Sequence, residues 1–386
     1  MKIMHLMLAC FYIDNYSYQE NLLPKYHKKQ GHEVEIVASL VSFDEHGKSV
    51  ILAKGGKYQN EYGIPVTRLE YSKSLHARRL RKYIGLKEEL ERFQPDLLFI
   101  HGVQFSDVSV VVDYIKHHKH VIVYADSHSD FSNSGTNWLS KTILHEIVWR
   151  HYAQLINPYV KKFYGVLPAR VDFLISEYKL PKEKVELLVM GADDERVNEA
   201  AKQEVRERIR SQLHLEKDDF VIMTGGKIDA FKTQTLLLME AVMKISEPKV
   251  KLIVFGSVTE ELADRVKTLA DGEIVQYIGW IQANDSYDYF ASADLVVFPG
   301  RHSVFWEQVV AQGIPMVVKS WPGTHHVDVG GNVVFLEKDS VEEIQTVLEK
   351  IVGDKETYNK MKQVAESEGK KQFAYSQIAK RSIDEV

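Results

Sequence analysis

Two lysines, Lys227 and Lys232, bracket a turn in the run Phe-Val-Ile-Met-Thr-Gly-Gly-Lys-Ile-Asp-Ala-Phe-Lys-Thr-Gln-Thr, residues 220–235. An apolar strand-like segment enters the turn through Gly225 and Gly226, and a helical pattern leaves it. Glycine lets backbone approach a ligand closely, a helix start offers free N–H groups, and two ammonium groups add full positive charge. The chemistry this suggests is anion binding, above all of a diphosphate. The alternative is a pair of solvated lysines beside a loop, the usual state of surface lysine.

A second group of candidates ends strands in the first half of the chain. Asp126-Ser127-His128-Ser129-Asp130 follows the apolar run Val121-Ile122-Val123-Tyr124, and His101 closes the run 96–101. His128 and Asp126 can contact a substrate, or the loop can be capped by its own Asp and Ser side chains. His101 either lines a cleft or is a hydrogen-bonded core histidine. Glu20, at the start of the first helix, either caps it or meets an acceptor. Glu307 follows Val304-Phe305-Trp306 early in a helix, where it can complement the helix dipole or offer two acceptor oxygens to vicinal hydroxyls.

Metal motifs fail on spacing. His145-Glu146 begins like a zincin helix, but Trp149 stands where the second histidine is needed. His117-His118-Lys119-His120 reads as solvated, and Asp193-Asp194 and Asp218-Asp219 lack a DxD arrangement. The expectation is no metal and no cofactor.

Positioning these residues requires parallel sheets. Short apolar runs at 2–10, 32–39, 66–71, 96–101, 120–125, 163–168 and 185–190 alternate with helical patterns such as 18–30, 77–93 and 138–156. A second series follows at 220–225, 250–255, 274–279, 294–298, 315–319 and 333–337. Strand–helix alternation predicts an α/β fold of two Rossmann-like, doubly wound parallel-sheet domains, with ligands at the carboxyl ends of the strands in a cleft between them. A length of 386 residues suits two such domains. The expected boundaries are 1–194, 195–372 and a C-terminal helix, 373–386, crossing back to the first domain. The charged segment 193–219 reads as the connection.

The remaining numbers exclude more than they assign. Forty-nine Lys and Arg against 54 Asp and Glu leave a net charge of −5, against a general nucleic-acid binder. The single cysteine, Cys10, precludes an internal disulfide, reads as a buried residue of the first strand, and fits a reducing cytoplasm. No run of apolar residues is long enough for a bilayer span. The segment His76-Ala77-Arg78-Arg79-Leu80-Arg81-Lys82-Tyr83 is a basic patch on a predicted amphipathic helix. It either rests on anionic lipid at the inner face of a membrane or is a solvated face paired with Glu88, Glu89 and Glu91.

In order and spacing, several motifs together resemble glycosyltransferase family 4, retaining nucleotide-sugar-dependent enzymes of the GT-B fold. Gly225-Gly226-Lys227 with Lys232 resembles the family's diphosphate-binding element. Val254-Phe255-Gly256, Tyr277-Ile278-Gly279-Trp280-Ile281 and Ala293 through Gly300 resemble its successive strand ends, and Ile281 is thereby a candidate substrate contact. Trp306-Glu307-Gln308 through Gly313-Ile314-Pro315 resembles the helix carrying the second glutamate of the E-x7-E motif, which makes Glu307 the ribose ligand. Gln30-Gly31-His32-Glu33-Val34 and Leu180 through Asp193 match the first lobe less specifically.

Two departures bear on the sugar. Pro299 stands where the first glutamate belongs, in a shortened loop whose Arg301, His302 and Ser303 are left to contact phosphate or sugar. Asp14 through Asn21 replaces a glycine pair. The resemblance implies a metal-independent, retaining glycosyltransferase acting on a nucleotide-sugar co-substrate, a UDP-sugar foremost. The acceptor would be a glycan or a lipid-linked acceptor in bacterial surface-polysaccharide or glycoconjugate synthesis. In that reading Lys232 stabilises the departing diphosphate and His128 or Asp126 faces the sugar. Rivals are a GT-B-type epimerase or phosphorylase, and a non-catalytic sugar-nucleotide or glycan-binding protein.

Overall fold

The computed structural model describes residues 1–43, 49–129, 145, 147–230, 232–247 and 249–384. The chain forms two compact units, Met1–Val189 with Ile378–Val386, and Met190–Gln377. The last helix, Tyr375–Arg381, therefore starts in the second unit and ends in the first.

The first unit is built on β1 (Lys2–Met7), β2 (Glu33–Ala38), β3 (Val41–Phe43), β4 (Ser49–Ile51), β5 (Gly56–Gln59), β6 (Pro65–Arg68), β7 (Leu97–His101), β8 (Ile122–Ser127), β9 (Val160–Gly165) and β10 (Val185–Leu187). Eight of these form one sheet in the order β10-β9-β8-β7-β1-β2-β6-β5, parallel except for β5 against β6. β3 and β4 pair separately as an antiparallel hairpin. The central strands are buried on both faces, so Ile3, Met4, Leu6, Leu97–Ile100 and Val123–Ala125 read as apolar runs without alternation.

The second unit carries β11 (Phe220–Gly225), β12 (Val250–Phe255), β13 (Val275–Tyr277), β14 (Leu295–Phe298), β15 (Met316–Lys319) and β16 (Val333–Leu336). They form a fully parallel six-stranded sheet in the order β13-β12-β11-β14-β15-β16. Its order reverses direction between β11 and β14, the switch point at which such sheets bind ligands.

Several expectations change. The segment 193–219 is no free connection, because it folds onto the second unit. Arg206 and Arg210 there each donate to one oxygen of Asp294 at 2.6 Å, and Asp294 Oδ2 also accepts from the Val221 N–H. The predicted helix 77–93 is two helices, Ala77–Leu80 and Leu86–Phe93, since Arg81 (φ 53°) and Gly85 (φ 92°) adopt left-handed conformations between them. β1 ends at Met7, which leaves Cys10 half-buried in the following loop, its thiol pushed up by burial first and then by Glu20 and Asp126. Asn15 supplies a positive φ of 64° in the segment where a glycine pair was expected, a conformation asparagine tolerates. Residues 138–144 of the predicted helix 138–156, Glu146 and Asp130 lie outside the described residues.

Candidate functional site

Each unit gathers its own set of polar groups at the carboxyl ends of its strands. In the second unit, the loops after β11 and β12 pack backbone on backbone. A Cβ on Gly256 would lie 1.9 Å from the Gly226 carbonyl oxygen, and one on Gly225 would lie 2.2 Å from the Phe255 ring. Those two glycines serve packing. Gly226, with φ 131° and nothing within 4 Å of its missing Cβ, is the one that leaves backbone open to a ligand.

Beyond this turn, Lys227 is exposed with Nζ 3.5 Å from Asp229, while Lys232 is half-buried. Burial lowers the Lys232 ammonium below its usual range. Asp229 raises it, and Arg301 and Lys227 lower it further. Arg301, from the loop after β14, and Lys227 thus both act on the Lys232 ammonium, with Asp229 opposing them. Cations gathered at one turn suit an anion.

Glu307 sits in the first turn of the helix Phe305–Gln312 and is fully buried. Its Oε1 accepts from Nε2 of both His302 and His326, each at 2.8 Å. Despite the burial that would raise it, the carboxyl is held far below its usual range by His302 first and by His326. Oε2 is buried and has no partner among the described residues. The three side chains each bring one ligand atom to within 4.8 Å of the others. Two imidazoles and a carboxylate are a donor set a divalent ion could use, but here both imidazoles already spend Nε2 on the carboxylate. Sequence spacing concealed this group, because His326 lies 19 residues from Glu307 and arrives on the 3-10 turn His325–Val327. Ser303 and Arg301 lie in the loop before the helix, with Ser303 half-buried and Arg301 exposed, and Ile281 is half-buried after β13.

In the first unit, Glu20, His101, Asp126 and His128 come together as a group. His128 Nε2 lies 3.7 Å from Glu20 and 3.9 Å from Asp126. Asp126, fully buried, takes an ion pair from His101 Nδ1 at 2.9 Å and a hydrogen bond from Gln19. Glu20 is itself buried in the first turn of its helix, and the N-cap residue, Tyr18, makes no side-chain cap. His101 is a hydrogen-bonded core histidine in contact with this group.

Behind His101 stands a row the sequence did not announce. His101 Nε2 is 2.9 Å from His5 Nδ1, His5 Nε2 is 3.0 Å from His27 Nδ1, and His27 Nε2 is 3.1 Å from the Ala379 carbonyl and 3.0 Å from Ser382 Oγ. All three rings are buried. Ser382 Oγ can accept from or donate to His27 Nε2, so three neutral imidazoles suffice to fill the row. Asp126 raises His101 against its burial, whereas burial first and neighbouring histidines depress His5, and burial takes His27 down to about 3.

A pH dependence follows. His5 and His27 are depressed, so their contribution to stability is complete above the ordinary histidine value and is lost as pH falls towards their folded values. His27 alone accounts for about 4–5 kcal/mol across that fall. Asp126, held low chiefly by His101, acts in the same direction at lower pH, while His101, held high, loses its contribution as pH rises through its raised value. Denaturant midpoints should drop steadily from about pH 6.5 to about pH 4, and His27→Gln should flatten that slope. Equal slopes in both proteins would show that His27 is not the source of the acid dependence.

Two parallel-dominated α/β sheets, each with its polar groups at the strand carboxyl ends, define a GT-B fold. Residues 218–354, within the second unit, match the family model for glycosyl transferases group 1. A curated relative, the mannosylfructose-phosphate synthase of Agrobacterium fabrum, is 23% identical over 234 residues, covering 56% of this chain and 50% of that protein. The chain thus spans about half the length of the curated relative it matches. Among solved structures, Anabaena Alr3699/HepE in complex with UDP is similar with a TM-score of 0.66 at 16% identity, over 100% of this chain and 99% of that one. The UDP-GlcNAc 2-epimerase of Neisseria meningitidis bound to UDP-GlcNAc has a TM-score of 0.63 at 13% identity, again over 100% and 99%. At these identities the structures speak for the fold. Among the described residues, no helix is long and apolar enough to cross a membrane.

Proposed function

We propose that this chain is a retaining, metal-independent glycosyltransferase that moves a sugar from a UDP-sugar to a hydroxyl of a glycan or lipid-linked acceptor. The observation that carries the reading is the crowding of Lys227, Lys232 and Arg301 beside the open backbone at Gly226. In this reading the three cations hold the diphosphate and take up the charge that develops on it as the glycosidic bond breaks. The loop bearing His302 and Ser303 completes the phosphate and sugar contacts. Glu307 fixes His302 and offers Oε2 to the ribose, and Ile281 borders the nucleotide. In the first unit, His128, 3.7 Å from Glu20 and 3.9 Å from Asp126, is the group that meets the sugar in this reading. Attack comes from the face the diphosphate leaves, and a departing phosphate oxygen takes the acceptor proton. The setting is the cytoplasmic face of a bacterial membrane, in surface-polysaccharide or glycoconjugate synthesis.

A thermal-shift screen of UDP-, GDP-, dTDP- and ADP-sugars tests the donor. A ligand at a hundred times its dissociation constant adds about 2.7 kcal/mol, and the UDP-sugars should give the largest shift. Failure of every nucleotide sugar to stabilise the protein would defeat the reading. The epimerase neighbour supports a second one, in which the same donor site turns over a UDP-sugar alone. Incubation of the donor without acceptor separates the two: a transferase leaves the sugar's configuration unchanged, an epimerase inverts a carbon.

A further inference from the structure

We propose that the first unit's cavity binds the phosphate group of a phosphorylated acceptor through Arg78 and Arg81; this rests on the transferase reading and names its acceptor class. The cavity has a volume of about 460 Å³, which lies within the usual range of small-molecule sites. It is lined by residues that follow β1, β7 and β8, including His128, the group assigned to the sugar. The acceptor hydroxyl and its anionic group therefore have places in one pocket.

The charge of the lining decides the ligand class. Among the described residues, Arg78, Arg81, His101 and His128 line the cavity and no Asp or Glu does. Asp126 is paired with His101, Asp107 accepts from the Tyr83 N–H at 2.6 Å, and Glu20 stands 3.7 Å from His128. Neither arginine has a carboxylate partner among the described residues. Arg81 donates to the Gln104 carbonyl at 2.7 Å and lies 5.6 Å from the centre of the Trp149 ring, so its guanidinium is placed rather than free. It is also one of two non-glycine residues, with His76, that bracket the short helix Ala77–Leu80 in left-handed conformations. Folding holds a cation in a strained position at this wall, with no carboxylate bridged to it among the described residues.

Two guanidinium groups suit a phosphate better than a neutral sugar. A phosphoryl group offers three terminal oxygens to two planar donor forks, and charge-assisted bonds of this kind are about twice as strong as neutral ones. Arg78 is exposed, so the pocket admits the phosphate of a soluble sugar phosphate and equally a lipid-linked phosphate whose chain stays outside. Two basic residues of the patch read from the sequence thus serve the pocket.

Isothermal titration of the full chain tests this with glucose 6-phosphate, glucose, inorganic phosphate and a polyprenyl phosphate in neutral detergent micelles. At least one phosphate-bearing probe should bind about tenfold or more tighter than glucose. Arg78→Ala and Arg81→Gln should each weaken that probe about tenfold while UDP binding, measured in parallel, stays unchanged. Preference for glucose 6-phosphate marks a soluble acceptor, and preference for the micellar lipid marks a lipid-linked one. Loss of UDP binding in the wild-type protein, with arginine-dependent phosphate binding intact, would defeat the transferase reading and leave the pocket assignment standing. Equal binding of glucose and every phosphate probe, no binding of any, or phosphate binding untouched in Arg78→Ala, would overturn the proposal. Circular dichroism of the Arg78→Ala variant, whose side chain is exposed, guards against misfolding.

Discussion

Replacing Lys232 with alanine should lower transfer by roughly 10²–10³-fold while leaving the melting temperature unchanged or slightly higher. The two halves of this result have one cause. In the free protein the Lys232 ammonium is half-buried, and beyond that burial it is opposed by Arg301 and Lys227, so its charge is held against its own preference. Asp229 relieves only part of that. Removing the side chain removes a desolvated cation and two repulsions, which favours the folded state. It also removes a donor placed for charge that grows in the transition state. A diphosphate reverses the balance by making all three cations attractive. Added inorganic diphosphate should therefore stabilise the wild-type protein and have a much smaller effect on Lys232→Ala. Kinetics within threefold of wild type, or a loss of several degrees in melting temperature, would show that this lysine is a structural group and not a charge carrier for the reaction.

The largest stability effect is expected at Glu307. Its carboxylate is fully buried and is the common acceptor for His302 and His326. Removing one partner of a buried charged group costs about 3–5 kcal/mol, since the groups left behind are desolvated and unpaired. For a unit of this size that corresponds to a fall of about 10 °C in melting temperature. Glu307→Ala should show that fall, and Glu307→Gln a smaller one, because the amide oxygen still accepts from one imidazole. The carboxyl is held well below its usual range, so its contribution is complete above the ordinary glutamate value and is lost as pH falls through the depressed one. The acid limb of the second unit should accordingly flatten in Glu307→Ala. A melting temperature within 2 °C of wild type, measured well above the carboxylate range, would refute a supporting role for this glutamate.

The strands were legible because parallel sheets covered on both faces demand uninterrupted apolar runs. β11, β12 and β15 begin and end within a residue of the positions such runs predict, whereas β9 starts three residues earlier than expected. The strands that escaped notice are those this rule does not govern. β5 is exposed along its whole length, and β3 and β4 form a hairpin outside the main sheet, so neither carries a core signature. The helix expected over 77–93 failed for a local reason, the left-handed turn at Arg81 and Gly85, which periodicity does not register.

Local order in the chain was enough to determine the α/β class, the glycine–lysine turn after β11 and the polar residues at the ends of β7 and β8, because strand burial and turn chemistry act over a few neighbouring positions. Tertiary structure alone decided which of those residues meet. It brought His5, His27 and His101 into one row across 96 residues of sequence, set His326 on Glu307, and placed Arg78 and Arg81 on one cavity with His101 and His128. Hydrogen bonds and ion pairs act over about 3–4 Å in space whatever the separation along the chain, so a reading of spacing finds candidate groups but not their partners.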